Sequence, residues 1–285
     1  MTVFVLLSNG LLPSDCLQDV TAGSKQWSHP APETTVYTHL RAQATFHLAT
    51  SPIYSRIISS PFPSAAELIE MDDQLIGNWL AELPPFFSQN ALQGPKFRLC
   101  HSILQWRYRN FRILMFRPFL VSRLIIRPTE GIQDSDPYVE VAVRRCLDAA
   151  RESVELIGAF WLQVQKNMMV CWYGLYFLFQ AILIPVICLR NDPQSHLVMD
   201  WRNQIFSAMH VLESVGELNP TAFRCLGVIR SLCGTYLDPN IDGWGRPTEE
   251  SPQTQLASLY PLMWPTLEMA QLDGMDSILY VMFTG

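Results

Sequence analysis

The chain has 285 residues, 49% of them hydrophobic and only 16% charged, against a usual charged share of roughly 25%; this excludes a disordered chain and leaves room for a large buried core. A net charge of −6 argues against nucleic-acid binding through the overall field. Seven scattered cysteines without a Cys-x-x-Cys spacing exclude a dense disulfide framework and argue against a structural zinc site, so they read as reduced, buried thiols.

Residues 1–34, with Pro13, Gly23, Pro30 and Pro32 and no clear period, read as an irregular segment or the remnant of a preceding one. A long helix is expected after Pro32, capped by Thr34 or Thr35 and running through VYTHLRAQATFHLATSPIYSRIIS, with a kink at Pro52. Ser64-Ala65-Ala66-Glu67 has the form of a capping box. It opens an amphipathic helix with Leu68, Met71, Leu75, Trp79 and Leu80 at helical spacing, stopped by Leu83-Pro84-Pro85. A third helix is predicted from Ala91 or Pro95 to about Phe116, where Pro118 bends or ends it.

Asp136-Pro137 introduces a helix over about Tyr138 to Ile157, and an apolar helix follows over roughly Gln165 to Leu189. Within it, residues 170–189 (VCWYGLYFLFQAILIPVICL) are long and apolar enough to span a membrane. Gln180 in mid-span, Pro185 and the scattered aromatics favour the other reading, a central helix buried on all sides in a soluble bundle. Asn191-Asp192-Pro193 is a turn, a further helix covers about Ser195 to Val215, and Asn219-Pro220 starts a last one through Leu237. No alternating strand pattern is found. The expected fold is all-α, an irregular multi-helix bundle around a buried apolar central helix. Its domain is placed at 35–237, with an acidic-hydrophobic tail at 238–285.

No phosphate loop, dinucleotide fingerprint, paired-histidine zinc motif or nucleophile elbow is present. Asp72 and Asp73, with Glu67 and Glu70, read as the polar face and first-turn charge of a helix in preference to a catalytic pair. The one constellation of note is basic. Residues 91–127 hold Lys96 and seven arginines and no acidic residue. On a helical wheel Arg98, Arg109 and Arg112 group with His101, Ser102 and Gln105. Arg107 and Asn110 fall on the opposite face, among Leu99, Ile103, Phe111 and Leu114. Such a helix either contacts nucleic acid or is a central helix whose arginines pair with Asp72, Asp73, Glu140 or Asp148. Pairing is favoured, with a carboxylate or helix-end carbonyls expected on Arg107 or Arg117. Trp172, Tyr176 and Phe179 are candidate walls of an effector cavity, the alternative being plain core packing. In the tail, Trp264, Leu267, Leu272, Leu279 and Phe283 lie among Glu268, Asp273 and Asp276. That composition suits an activation segment docking on co-regulators, or a tail packed on its own domain.

Several motifs resemble the middle homology region of fungal zinc-cluster transcription factors. Met71, Asp72, Leu75, Trp79, Leu83 and Pro84 match a Leu-Asp-x-x-Leu-x-x-Trp helix ending in Leu-Pro, and Arg117-Pro118-Phe119 matches a near-signature Arg-Pro-Phe. Cys146, Ala149 and Ala150, then Trp172, Tyr176 and Phe179, then Ala222, Arg224 and Cys225 follow in the family's order. The stretch TVYTHLRAQATFHLATSPIYSRI looks most like the galactose-activator branch. The resemblance implies a nuclear, non-enzymatic regulatory domain acting on RNA polymerase II transcription through co-regulators and a small-molecule effector, without a membrane. The family's six-cysteine module has no counterpart in this sequence. Zinc and DNA contact are therefore implied only for a module not present here, and no cofactor is assigned to this chain. A truncated gene model, a fragment, or a regulator without DNA contact would each account for that. The competing function classes are a membrane-associated protein spanning at 170–189 and an enzyme whose site has no linear motif.

Overall fold

The computed structural model describes residues 36–88, 94–125 and 136–237. The segment 1–34 with its cap at Thr34 or Thr35, the tail 238–285 and the five tail residues singled out above lie outside the described residues.

Helix α1 (Val36–Ile57) turns Ala42, Phe46 and Ile53 inward and keeps Pro52 within it. Next comes one helical run, α2 (Ala65–Met71), a π-helical turn (Asp72–Gly77) and α3 (Asn78–Glu82). Ser64 Oγ accepts from the Glu67 N–H at 3.2 Å, as a capping residue should. The Glu67 carboxylate does not close the box; it pairs with Arg56 at the end of α1 and so pins α2 to α1. The run ends at Glu82, before Leu83-Pro84-Pro85, and a 3-10 turn follows (Pro85–Phe87).

Helix α4 (Pro95–Ile125) does not stop near Phe116 but passes through Pro118 to Ile125. A proline in a helix interior costs about 3 kcal/mol. Leu120 and Val121 beyond it are both buried, and their burial offsets that cost. Helix α5 (Pro137–Gln163) starts with Asp136 Oδ1 accepting from the Tyr138 N–H at 2.9 Å. It runs past Ile157 because Phe160 and Trp161 continue its buried stripe. Helix α6 (Met168–Asn191) is capped by Asn167, helix α7 (Val198–Gly216) follows the predicted turn, and Asn219 caps α8 (Thr221–Leu237) through Oδ1 and the Thr221 N–H at 3.1 Å.

The fold is all-α among the described residues, with α6 at its centre. Helices α4, α5, α7 and α8 all pack on α6, and α4 lies along α5. By length and composition α6 could cross a membrane, yet 78% of its most apolar stretch is buried inside the fold. Trp106 of α4 sits at the junction, with Phe160 of α5 edge-on at 5.1 Å and Phe177 of α6 at 6.1 Å.

Candidate functional site

Two polar clusters interrupt this apolar interior. The first is built on Asp72, whose side chain is 0% exposed. Arg112 Nε of α4 reaches Oδ1 at 2.9 Å, and Arg145 Nη1 of α5 reaches Oδ2 at 2.6 Å and Asp73 Oδ1 at 2.8 Å. One carboxylate thereby ties three elements together. This corrects the expectation that Asp72 belongs to a solvated polar face and agrees with its expected pairing to an arginine of α4. Leu68, Asp72 and Ile76 recur at a spacing of four, and all three are fully buried. That spacing was the signal for Asp72.

Three arginines of α4 have acidic partners, whereas Arg107 and Arg117, on which a carboxylate or helix-end carbonyls are expected, meet an imidazole and a side-chain amide. Besides Arg112, Arg109 binds Glu152 at 2.8 Å and Arg123 binds Glu140 at 2.7 Å. Arg109, grouped by the wheel with a polar face, is nevertheless buried, because that face looks onto α5. Its guanidinium also donates to the carbonyl and Oε1 of Gln105, each at 3.0 Å.

The second cluster lies where α4 meets α1 and α6, and it gathers Arg107, Asn110, Arg117 and Tyr176. Arg117 is 1% exposed and donates to Gln180 Oε1 at 3.3 Å. The amide that interrupts the apolar α6 thus answers the charge that interrupts the apolar face of α4. Burial pulls the Arg117 guanidinium down to about 10 and pushes the neighbouring Cys146 thiol up to about 12. Arg107 is half-buried, and its Nη1 lies 3.1 Å from His47 Nε2 on α1. A guanidinium only donates, so Nε2 accepts and His47 is neutral. Desolvation, then the charge of Arg107, hold His47 below the usual histidine range. Burial likewise lowers Arg107, with Tyr173 and Tyr176 acting against it. Tyr176 is raised by burial, with Arg107 and a hydrogen bond from Asn110 opposing. Among the described residues no carboxylate pairs with Arg107.

Trp172, Tyr176 and Phe179 line the one face of α6 that is only half-buried. A cleft of about 150 Å³ lies elsewhere, between α3, the 3-10 turn and α4, lined by Leu80, Leu83, Pro85, Phe87, Gln105 and Tyr108 among others. Among the described residues no three His, Cys, Asp or Glu side chains are placed to hold a metal ion.

The chain is similar to the transcription factor FBD3 of Gibberella moniliformis (strain M3125 / FGSC 7600). The two are 27% identical over 182 residues, which cover 55% of this chain and 24% of that protein. The chain thus spans about a quarter of the relative it matches. No family model matches the sequence, and no solved structure matches it.

Proposed function

We propose that this chain carries the helical regulatory domain of a fungal transcription factor, controlling RNA polymerase II transcription in the nucleus without catalysing a reaction. The observation that carries the proposal is the similarity to FBD3, a protein named as a transcription factor. The positions that resemble the zinc-cluster family also have defined tasks in the fold, which supports the reading. Asp72 joins three elements, Trp79 Nε1 donates to Thr45 Oγ1 at 3.1 Å, and Cys146, Ala149 and Ala150 form the buried face of α5. In this reading the bundle restrains or relays activation, its partners are co-regulators and a small-molecule effector, and α6 is a core helix with no membrane role. DNA and zinc belong to a module outside this sequence, and the tail around Trp264 and Phe283 supplies the activating surface.

The test is a reporter assay. The full chain is fused to an unrelated DNA-binding module, with and without a strong activation segment. The expected result is a several-fold change in transcription in at least one format, with the fusion concentrated in nuclei. No change in either format would refute the proposal, and so would recovery of the unfused chain in a carbonate-resistant membrane pellet. A fusion of 250–285 alone that stays silent would remove the activating role of the tail. An in-frame, cysteine-rich basic exon upstream of Met1 would identify the module that contacts DNA.

A further inference from the structure

The cleft between α3, the 3-10 turn and α4 has a buried floor and an open rim. Phe87, Gln105 and Tyr108 are buried, Leu80, Leu83 and Pro84 are half-buried, and Pro85 and Ser88 stand exposed at its mouth. Its volume of about 150 Å³ matches a cavity that takes one benzene ring, and lies well under the roughly 300–1,000 Å³ of a drug-sized pocket.

One polar group on this wall is left over. Tyr108 is only 7% exposed, and its ring is held edge-on to Trp79 at 6.1 Å. The guanidinium groups of Arg109 and Arg112 lie 4.5 and 5.8 Å from the ring centre. Among the described residues its hydroxyl makes no hydrogen bond, yet it is not one of the sealed polar atoms, so a partner reaches it through the cleft that Tyr108 lines. Burial holds Tyr108 above the usual tyrosine range, so the hydroxyl keeps its proton and both donates and accepts. One turn earlier on α4, Gln105 is 6% exposed. It gives one N–H to the Phe87 carbonyl at 2.7 Å and accepts from Arg109 at 3.0 Å. One N–H and one lone pair of that amide remain.

Water suits the space poorly. Each molecule asks for about two to four polar partners, and the side chains of Leu80, Leu83, Pro84, Pro85 and Phe87 give none. A charged ligand is disfavoured too, because no lining residue is charged and the nearby Arg109 and Arg112 already hold Glu152 and Asp72. What fits is a flat neutral ring against the apolar walls, bearing one group that both donates and accepts.

We propose that this cleft binds a small neutral phenol, its ring against Leu80, Leu83 and Phe87 and its hydroxyl on Tyr108 and Gln105. Binding stands on the cleft itself; only the ligand's service as the effector rests on the regulatory reading above.

The purified full chain is titrated with phenol, with toluene, which lacks the hydroxyl, and with benzoate, which carries a charge; binding is read by saturation-transfer NMR on the ligand. Phenol is expected to bind saturably and about fivefold or more tightly than either, the worth of one hydrogen bond. Tyr108→Phe keeps the ring against Trp79 and both guanidinium groups, and should bring phenol down to the level of toluene. Leu83→Trp fills the rim and should exclude phenol and toluene alike. Circular dichroism checks that each variant keeps its helicity; should one lose it, the other decides. The inference is overturned if phenol shows no saturable binding to wild type, if toluene or benzoate binds as tightly, or if either folded variant binds phenol as before. The reporter fusion separates the two readings. Phenol binding in vitro with a reporter indifferent to phenol would leave the site and remove its effector role. A regulated reporter with no phenol binding would remove the site and leave the regulatory reading intact.

Discussion

Replacing Asp72 by Asn is the sharpest test of how this bundle is held together. The side chains are nearly equal in volume, so packing is preserved and only the charge and one acceptor are lost. The carboxylate is fully buried and receives Arg112 at 2.9 Å and Arg145 at 2.6 Å. Without it, two guanidinium groups face each other across a neutral amide. Breaking one partner out of a buried pair costs about 3–5 kcal/mol. Two features of the site reduce that figure. Both arginine side chains are 26% exposed and can turn partly to water, and Arg145 keeps Asp73 at 2.8 Å. The expected loss is therefore about 3 kcal/mol, at the lower end of that range. Asp73 is 60% exposed, and Asp73→Asn should cost under about 1 kcal/mol.

Urea denaturation followed at 222 nm measures both variants, and thermal unfolding gives a second reading. For a fold of this size 1 kcal/mol corresponds to a shift of roughly 2–4 °C, so Asp72→Asn should melt about 6–12 °C lower. A cycle with Arg145→Gln should show a coupling above about 1 kcal/mol, because the two residues share one network. If Asp72→Asn lies within about 0.5 kcal/mol of wild type, or costs no more than Asp73→Asn, Asp72 is not the joint described here.

Three further outcomes are expected. Gln180→Leu removes an acceptor of the buried Arg117 and should cost about 1–2 kcal/mol in urea, despite making α6 more apolar, because Arg117 keeps other interactions. Gly174→Ala should stabilise by up to about 1 kcal/mol, since an added Cβ meets nothing within 4 Å and helix propensity improves; Gly216→Ala should not, because its Cβ would stand 2.5 Å from the Phe223 ring, which must swing away. Desolvation by burial holds His101 below the usual histidine range, the Ser88 carbonyl opposing it and the nearby His39 adding a smaller push in the same direction as burial. Its unfolded form therefore takes up protons first, so its contribution is complete above about pH 6.5 and is lost as the pH falls below it. The urea midpoint should drop between pH 7.5 and 5.5, and His101→Gln should flatten part of that slope, His47 supplying the rest.

The features that set the fold were local, and for that reason they were legible. Apolar residues at helical spacing, Asp136, Asn219 and Ser64 as caps, and Leu83-Pro84-Pro85 as a stop each act within a few residues of themselves. What was not legible depended on residues far away in sequence. Whether Pro118 ends a helix is decided by the burial of Leu120 and Val121 on the far side of it. That Asp72 also takes a second arginine is decided by Arg145, 73 positions later on α5 and outside the basic stretch that suggests the pairing with α4. Glu67 has the right spacing for a capping box, but Arg56 of the preceding helix takes its carboxylate.

The polar positions on the apolar helices carry the most information about design. An all-round apolar helix such as α6 has no face that fixes its rotation within a bundle, because one greasy surface packs much like another. Gln180 breaks that degeneracy: it reaches Arg117 only when α6 is turned one way against α4. Buried polar pairs contribute little net stability, but they can select one arrangement among several. Asp72 does the same for the α2–α3 run against α4 and α5. Arg107 does the same for α1 against α4, through His47 Nε2 at 3.1 Å.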